Sequence, residues 1–238
     1  MADKSSVEQI RARFDGDVER FSNLETGQVA ALDGRLMLET ITAAARGCIP
    51  QARGVLDLGC GAGNYSLMLQ QAYGRELDFH LVDLSQPMLD RAQERLREAG
   101  AGELHLHQSD LRTLDLPEGE VDIIVAAAVL HHLREEHEWQ EVFASLYRWL
   151  RPGGWLFISD LVTHDDPQID AQQWDAYGRY LEGLKGPAYR EQVFAYIAQE
   201  DSPRSLAFQL RLMEQVGFTS CEVLHKHAVF AAFGGRKG

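Results

Sequence analysis

Residues 55–66 read Val-Leu-Asp-Leu-Gly-Cys-Gly-Ala-Gly-Asn-Tyr-Ser, and Asp83 closes a second apolar run twenty residues past Gly63. An apolar strand, Val55 to Leu58, therefore runs into a loop with glycine at every second position, Gly59, Gly61 and Gly63. Glycine tolerates positive φ and lets backbone amides come close to a ligand. The helix expected from Asn64 aims its N-terminal amides at the same place. Asp83, at the tip of the next strand, can accept hydrogen bonds from two ribose hydroxyls. These parts make a nucleoside-cofactor site on a parallel α/β sheet.

Glycine spacing argues against a dinucleotide. That fingerprint needs glycine at the first, third and sixth positions. Here the sixth is Asn64, and the extra glycine stands at the fifth. Asp57 also precedes the loop by two residues. A carboxylate there repels a pyrophosphate and suits a ligand carrying an ammonium or sulfonium group.

Strand and helix patterns alternate along the rest of the chain, as in a parallel sheet covered on both faces. Ser5 and Ser6 with Glu8 and Gln9 look like capping-box starts and predict one polar helix to about Phe21. A second helix is expected after Asp33, with Leu36, Leu38, Ile41 and Ala45 on one face. Strands are expected at Gly54–Leu58, Phe79–Asp83, Leu104–His107, Val121–Ala126 and Trp155–Asp160, with two more around Glu222–His225 and Ala228–Phe233. Helices fall at Asn64–Ala72, from Ser85 to Glu98, at Glu138–Leu150 and at Ser205–Val216. Arg151-Pro152-Gly153-Gly154 reads as a turn that stops the third of these helices and leads into the strand at Trp155. Residues 162–203 interrupt the rhythm and hold Trp174, Tyr177, Tyr180, Tyr189, Phe194 and Tyr196. They emerge at the carboxyl ends of the strands, where open parallel sheets bind ligands. They read either as aromatics packed on the core or as a lid over an acceptor. The expected organisation is an N-terminal helical cover, residues 1–50, and a Rossmann-like domain, residues 51–238, carrying the insert.

Composition restricts the partners. The 238 residues carry a formal net charge of −13, with a pI near 5.1. A nucleic-acid grip needs a basic surface, so nucleic acid is disfavoured. No apolar run is long enough to span a membrane. Met-Ala-Asp-Lys-Ser-Ser lacks the layout of a signal peptide. Three cysteines, Cys48, Cys60 and Cys221, with no Cys-x-x-Cys spacing suit a reducing compartment, and a cytoplasmic location is expected.

The stretch Asp57 to Gly63 resembles motif I of the class I S-adenosylmethionine-dependent methyltransferases, Asp-x-Gly-x-Gly-x-Gly. Residues 82–89 look like motif II, Ser109-Asp110-Leu111 like motif III and Val121-Asp122-Ile123-Ile124 like the start of motif IV. Residues 150–154 are similar to the turn before strand 5. The resemblance implies a seven-stranded, Rossmann-like methyltransferase sheet, mostly parallel with an antiparallel C-terminal strand, helices on both faces and a helical lid after strand 5. It also implies S-adenosylmethionine as cofactor. Gly59, Gly61 and Gly63 would line its methionine and ribose, with Asp57 near the amino group. Asp83 would bind the ribose, and Leu84 and Met88 would flank the adenine. Asp110 would bond the adenine amine beside Leu111, and Ala126 would offer a backbone carbonyl to the ammonium. Phe21 and Tyr65 are candidates to seal the site. Arg13-Phe14-Asp15, Arg20-Phe21 and Ala231-Ala232-Phe233-Gly234 look like small class I methyltransferases. More distantly they look like the carboxy-S-adenosylmethionine synthase of transfer-RNA wobble-uridine modification.

Methyl transfer asks for in-line approach and exclusion of water more than for side-chain chemistry. Where the acceptor needs a base, His131 follows strand 4 at the carboxyl edge of the sheet and has a suitable intrinsic pKa. The alternative for the His131-His132 pair is a helix cap or packing under the lid. The strand-4 end reads Ala126-Ala127-Ala128-Val129-Leu130, without the Asn/Asp-Pro-Pro-aromatic motif of adenine or glutamine amino methylation. No Pro-Cys nucleophile is present. His105/His107 and His225/His227 alternate on strands without an evident third ligand, and Asp165-Asp166-Pro167 reads as a helix start, so no metal site is expected. The leading reading is a methyltransferase acting on a small-molecule acceptor. A transfer-RNA modification enzyme, making carboxy-S-adenosylmethionine or methylating a wobble uridine, is the runner-up. For the synthase, an arginine–tyrosine pair after strand 5 is implied, and Arg179-Tyr180 is the local match. A non-catalytic cofactor-binding module is the third.

Overall fold

The computed structural model describes residues 4–23 and 29–238, apart from the Phe21 side chain. Its sheet has seven strands: β1 (Gly54–Leu58), β2 (Asp78–Asp83), β3 (Leu104–Gln108), β4 (Val121–Ala127), β5 (Leu150–Leu161), β6 (Phe218–His227) and β7 (Phe230–Lys237). They lie in the order β3-β2-β1-β4-β5-β7-β6. The first five are parallel to their neighbours, and β7 runs antiparallel to both β5 and β6. The chain reverses its direction of growth between β1 and β4, and ligands bind at such a switch point. β1 is buried along its whole length, as a central parallel strand must be.

The helices flanking the sheet are α1 (Val7–Asp15), α2 (Val18–Ser22), α3 (Gly34–Cys48), α4 (Asn64–Tyr73), α5 (Gln86–Glu98), α6 (Glu136–Trp149) and α9 (Leu206–Val216). The inserted pair is α7 (Pro167–Lys185) and α8 (Pro187–Glu200). One sheet face is covered by Met37, Leu38 and Ile41 of α3, Leu69 and Tyr73 of α4, and Leu89 and Leu96 of α5. The other carries Trp139, Phe143, Leu146 and Trp149 of α6 with Leu212 and Met213 of α9. No helix among the described residues is long and apolar enough to cross a membrane.

Two local expectations are corrected. The single N-terminal helix is broken at Gly16 and Asp17, whose amides bond back to Arg13 O (3.2 Å) and Phe14 O (3.0 Å). These tighter three-residue bonds end α1, at a glycine of poor helix propensity. The second is the Arg-Pro-Gly-Gly turn, which is a bulge inside β5. Val121 pairs with Leu150 and Ile123 with Trp155, so residues 151–154 loop out opposite Asp122. The Asp122 carboxylate anchors the bulge, with Oδ2 accepting from Arg151 Nη1 at 3.0 Å and from the Arg53 and Gly54 amides at 2.7 and 3.0 Å.

The insert packs on a third apolar cluster of Leu32, Leu161, Tyr177, Leu181 and Val229, joined by Trp174, Tyr180, Tyr189 and Phe194. Asp166 caps α7 by accepting from the Gln168 and Ile169 amides, so Asp165-Asp166-Pro167 starts a helix. Tyr177 and Tyr180 donate their hydroxyls to Ala30 O (2.9 Å) and Val29 O (2.8 Å). The far end of α8 holds the N-terminal segment. Ser5 Oγ donates to Glu200 Oε1 at 2.6 Å, Arg13 Nη1 lies 3.2 Å from the same oxygen, and Lys4 Nζ meets Asp201 O.

Candidate active site

The glycine loop turns through three left-handed residues, with φ of 69° at Gly59, 49° at Gly61 and 78° at Gly63. At Gly59 a Cβ would stand 2.6 Å from Val129 Cγ2, so the loop packs directly on the chain leaving β4. At Gly61 a Cβ would meet nothing within 4 Å, leaving open space over the backbone. Gly63 is the N-cap of α4 and stands behind the loop against Ala92.

Two carboxylates brace this loop. Asp57 is buried at the end of β1, and its Oδ2 accepts from Ser66 Oγ at 2.6 Å and Ser66 N at 3.2 Å. Burial pushes its pKa up to about 6, against the two Ser66 bonds. Asp83 accepts from the Gly61 amide through Oδ2 (2.8 Å) and from the Ser85 amide through Oδ1 (2.9 Å). Burial raises its pKa as well, against those backbone bonds.

These groups line a cavity of about 350 Å³ at the carboxyl ends of β1, β2 and β4. Of the residues singled out in the sequence, Asp57, Gly59, Gly61, Asp83, Leu84, Met88, Asp110 and Leu111 come together on its wall, with Tyr65. Ala126 is placed elsewhere. It is fully buried in the sheet, paired with Leu58 and Ile158, and the cavity is reached one and two residues later by Ala127 and Ala128. The backbone turns left-handed at Ala128, with φ of 52°, a conformation an alanine rarely adopts. The Phe21 side chain lies outside the described residues. The side chains that close the cavity from the N-terminal side are Val7, Ile10 and Phe14 of α1.

Asp110 is on the wall but already engaged. Its Oδ1 accepts from Arg112 N and Nε, both at 2.9 Å, and its Oδ2 from Arg112 Nη2 at 2.6 Å. Burial opposes the charge, yet the Arg112 bonds outweigh it and hold the carboxyl below the usual range. Arg112 reaches on to Glu138 Oε1 at 2.7 Å.

A second cavity, of about 320 Å³, adjoins the first and shares Phe14, Tyr65, Ala127 and Ala128 with it. Its remaining wall includes Tyr177 of α7, Tyr189, Tyr196 and Ile197 of α8, and Phe230 of β7, with charged groups from Arg13, Arg20, Asp160 and Asp201. Arg179 and Tyr180 are on neither wall. Arg179 is ion-paired with Asp175, and Tyr180 is bonded to Val29 O.

His131 lies on this second wall, in a short 3-10 turn over Leu130–His132. Its Nδ1 meets Asp160 Oδ1, while Asp160 Oδ2 accepts from the Leu130 amide at 2.9 Å. Burial opposes a charge on the ring, but Asp160 and Asp201 outweigh it and raise its pKa to about 9. The two carboxylates thus favour positive charge at His131, which works against the free base expected there. Its neighbour His132, on the first wall, is kept neutral by burial and by the charge of His131.

Residues 55–154, from β1 through the bulge of β5, match the family described as a methyltransferase domain. That stretch of the chain carries a methyltransferase domain. The loop, Asp57 and Asp83 all belong to that matched stretch. The carboxy-S-adenosyl-L-methionine synthase of Helicobacter pylori is 28% identical over 187 residues, covering 77% of this chain and 75% of that protein. The demethylmenaquinone methyltransferase of Listeria monocytogenes is 27% identical over 174 residues, 72% of each chain. In fold, the methyltransferase chain superposes on the magnesium protoporphyrin IX methyltransferase of Synechocystis with a TM-score of 0.66 at 18% identity, covering 98% of this chain and 100% of that one.

Sequence reading expected an N-terminal cover but did not single out Val7 and Ile10 of α1 as cavity lining, nor Arg112, Glu200 and Asp201. The α1 residues sit in a polar helix whose few apolar positions read as core, and Glu200 and Asp201 look like the solvated end of an insert helix. Only Ile10 of α1 is buried in the fold.

Proposed function

We propose that the chain transfers the methyl group of S-adenosylmethionine, held in the first cavity, to a small-molecule acceptor held in the second. The observation that carries this reading is the shared wall of Phe14, Tyr65, Ala127 and Ala128. A sulfonium in one cavity and a nucleophile in the other meet at that wall, the arrangement an in-line displacement needs. The acceptor atom gains the methyl, and the S–CH3 bonding pair stays with sulfur as S-adenosylhomocysteine. Asp83 receives the ribose hydroxyls, Asp57 faces the amino group, and Leu84, Met88 and Leu111 enclose the adenine. The aromatic lining of the second cavity favours a largely apolar, ring-bearing acceptor. Helices α1 and α2, with the insert α7–α8, serve as the cover that excludes water. Three free cysteines and a charge of −13 fit a cytoplasmic enzyme that does not grip nucleic acid.

Synthesis of carboxy-S-adenosylmethionine is the second reading, favoured by the 28% identity to the Helicobacter synthase. The positions of Arg179 and Tyr180 argue against carrying over its carboxylate-binding pair. Incubation with methyl-deuterated S-adenosylmethionine and a panel of phenols, quinols and aromatic acids tests both. Acceptor-dependent S-adenosylhomocysteine with a labelled product supports methyl transfer. A carboxylated cofactor formed in its place selects the synthase, and tight binding without turnover on any acceptor overturns both.

A further inference from the structure

The turn after β4 and the end of α8 bring together three ligand-type atoms that methyl transfer does not use. Asp201 Oδ1 lies 3.7 Å from His131 Nε2 and 3.5 Å from His132 Nδ1. All three atoms lie within 4.8 Å of one another. Donors about 2.0–2.1 Å from a tetrahedral ion stand about 3.3–3.4 Å apart, and both Asp201 distances are within a few tenths of an ångström of that spacing.

Two further observations point to an occupant. Asp201 Oδ1 and His132 Nδ1 are buried and have no hydrogen-bond partner among the described residues. The Asp201 side chain is only 5% exposed, and a buried carboxylate oxygen calls for a partner. Behind the cluster, Asp160 holds His131 by Nδ1 and is itself fixed by the Leu130 and Leu161 amides at 2.9 and 2.7 Å. A carboxylate that holds one imidazole nitrogen and turns the other inward is the usual support of a metal-bound histidine.

We propose that His131 Nε2, His132 Nδ1 and Asp201 Oδ1 bind a divalent transition-metal ion, zinc by the spacing and the donor set, with Asp160 as the positioning residue behind His131. Two imidazoles and one carboxylate suit such an ion and leave coordination open. A proton on His131 is the competing occupant. It balances the charge of Asp201 but at 3.7 Å makes no hydrogen bond to it, and it leaves His132 Nδ1 unpartnered. A metal engages all three atoms. The cluster Asp33, His225 and His227 has the same residue types. There Asp33 Oδ2 already meets both imidazoles, at 3.0 and 2.8 Å, so nothing is left unpartnered.

The test is calorimetric titration of the chelator-treated full chain with zinc alone, in a His225→Gln/His227→Gln background that silences the surface cluster. One equivalent should bind with micromolar or tighter affinity. Asp201→Asn should weaken it at least a hundredfold and Asp160→Asn about tenfold. Cobalt should give the intense visible bands of a four-coordinate site, lost in Asp201→Asn. Absence of a saturable equivalent, or binding indifferent to Asp201→Asn, overturns the proposal. Should a variant fail to fold, imidazole NMR of the native chain decides. Zinc must shift the signals of His131 and His132, and shifts confined to His225 and His227 overturn the site.

Discussion

Gly61 donates its backbone N–H to Asp83 Oδ2 at 2.8 Å, across twenty-two residues of chain. The carboxylate proposed to receive a ribose is thus also the brace that keeps the glycine loop in shape. Asp83→Ala removes the ribose acceptor and the brace together. S-adenosylhomocysteine affinity should fall by about 1–3 kcal/mol, roughly 5- to 150-fold. Asp83→Asn, which keeps acceptor oxygen but loses the charge, should fall between. Titration calorimetry showing native affinity in Asp83→Ala would remove the ribose from this position.

Asp57 supplies the pH dependence. Its pKa is about 6 in the folded chain against an ordinary 3.8, so between those values the folded chain holds the proton more tightly than the unfolded one. Its contribution to stability is therefore greatest at low pH and declines as pH rises through about 6. Cofactor binding has the opposite sign, because an ammonium group is attracted only by the ionised carboxylate. Affinity for S-adenosylhomocysteine should rise from pH 5 to pH 7 and then level off. Asp57→Asn should flatten that profile, and a profile unchanged by the substitution would separate Asp57 from the amino group.

Substitutions in the loop should divide by what stands above each glycine. Gly59→Ala forces a Cβ to 2.6 Å from Val129 Cγ2 in a left-handed residue, so the thermal midpoint should drop clearly. Val129→Ala in the same chain should recover part of that loss. Gly61→Ala meets no protein atom within 4 Å and should cost stability only about 1–2 kcal/mol, the expense of its left-handed backbone. It should lower cofactor affinity by more than that, because the methyl enters the cavity. Equal losses of affinity and stability in the two variants would contradict the placement of the cofactor over Gly61.

Trp174 tests the cover. It is half-buried, edge-on to Tyr177 and Phe194 with ring centroids at 6.1 and 5.6 Å. Trp174→Ala should cost less than the roughly 3–5 kcal/mol of a fully buried tryptophan and should weaken acceptor use more than cofactor binding. Hydrogen exchange should slow in α1 and in α7–α8 when S-adenosylhomocysteine and an acceptor analogue are added together. Full protection of both segments without ligand would make the insert plain core.

Nucleoside recognition was written locally, and so it could be read from residues 54–86 alone. The strand, the loop, the helix start and Asp83 are set by short-range bonds and by apolar patterns a few residues long. The same holds for the parallel order of elements and for the Asp166 cap. Tertiary packing decided the rest. The Arg-Pro-Gly-Gly stretch became a bulge because Asp122, on the neighbouring strand, holds Arg151. The cavity is met at Ala127 and Ala128 because the chain leaves the sheet later than its strand pattern indicates. Arg112, which occupies Asp110, also bonds Glu138 of α6 across twenty-six residues of chain. Asp201 joins His131 and His132 only because the chain leaving α8 returns to the turn after β4, where Ser202 N bonds to His131 O at 2.7 Å. A residue's spacing along the chain records which face it occupies, but the charge beside it comes from segments far away in sequence. Burial then multiplies the effect of that charge, and this is why the protonation of His131 and the third partner of the histidine pair belong to the fold.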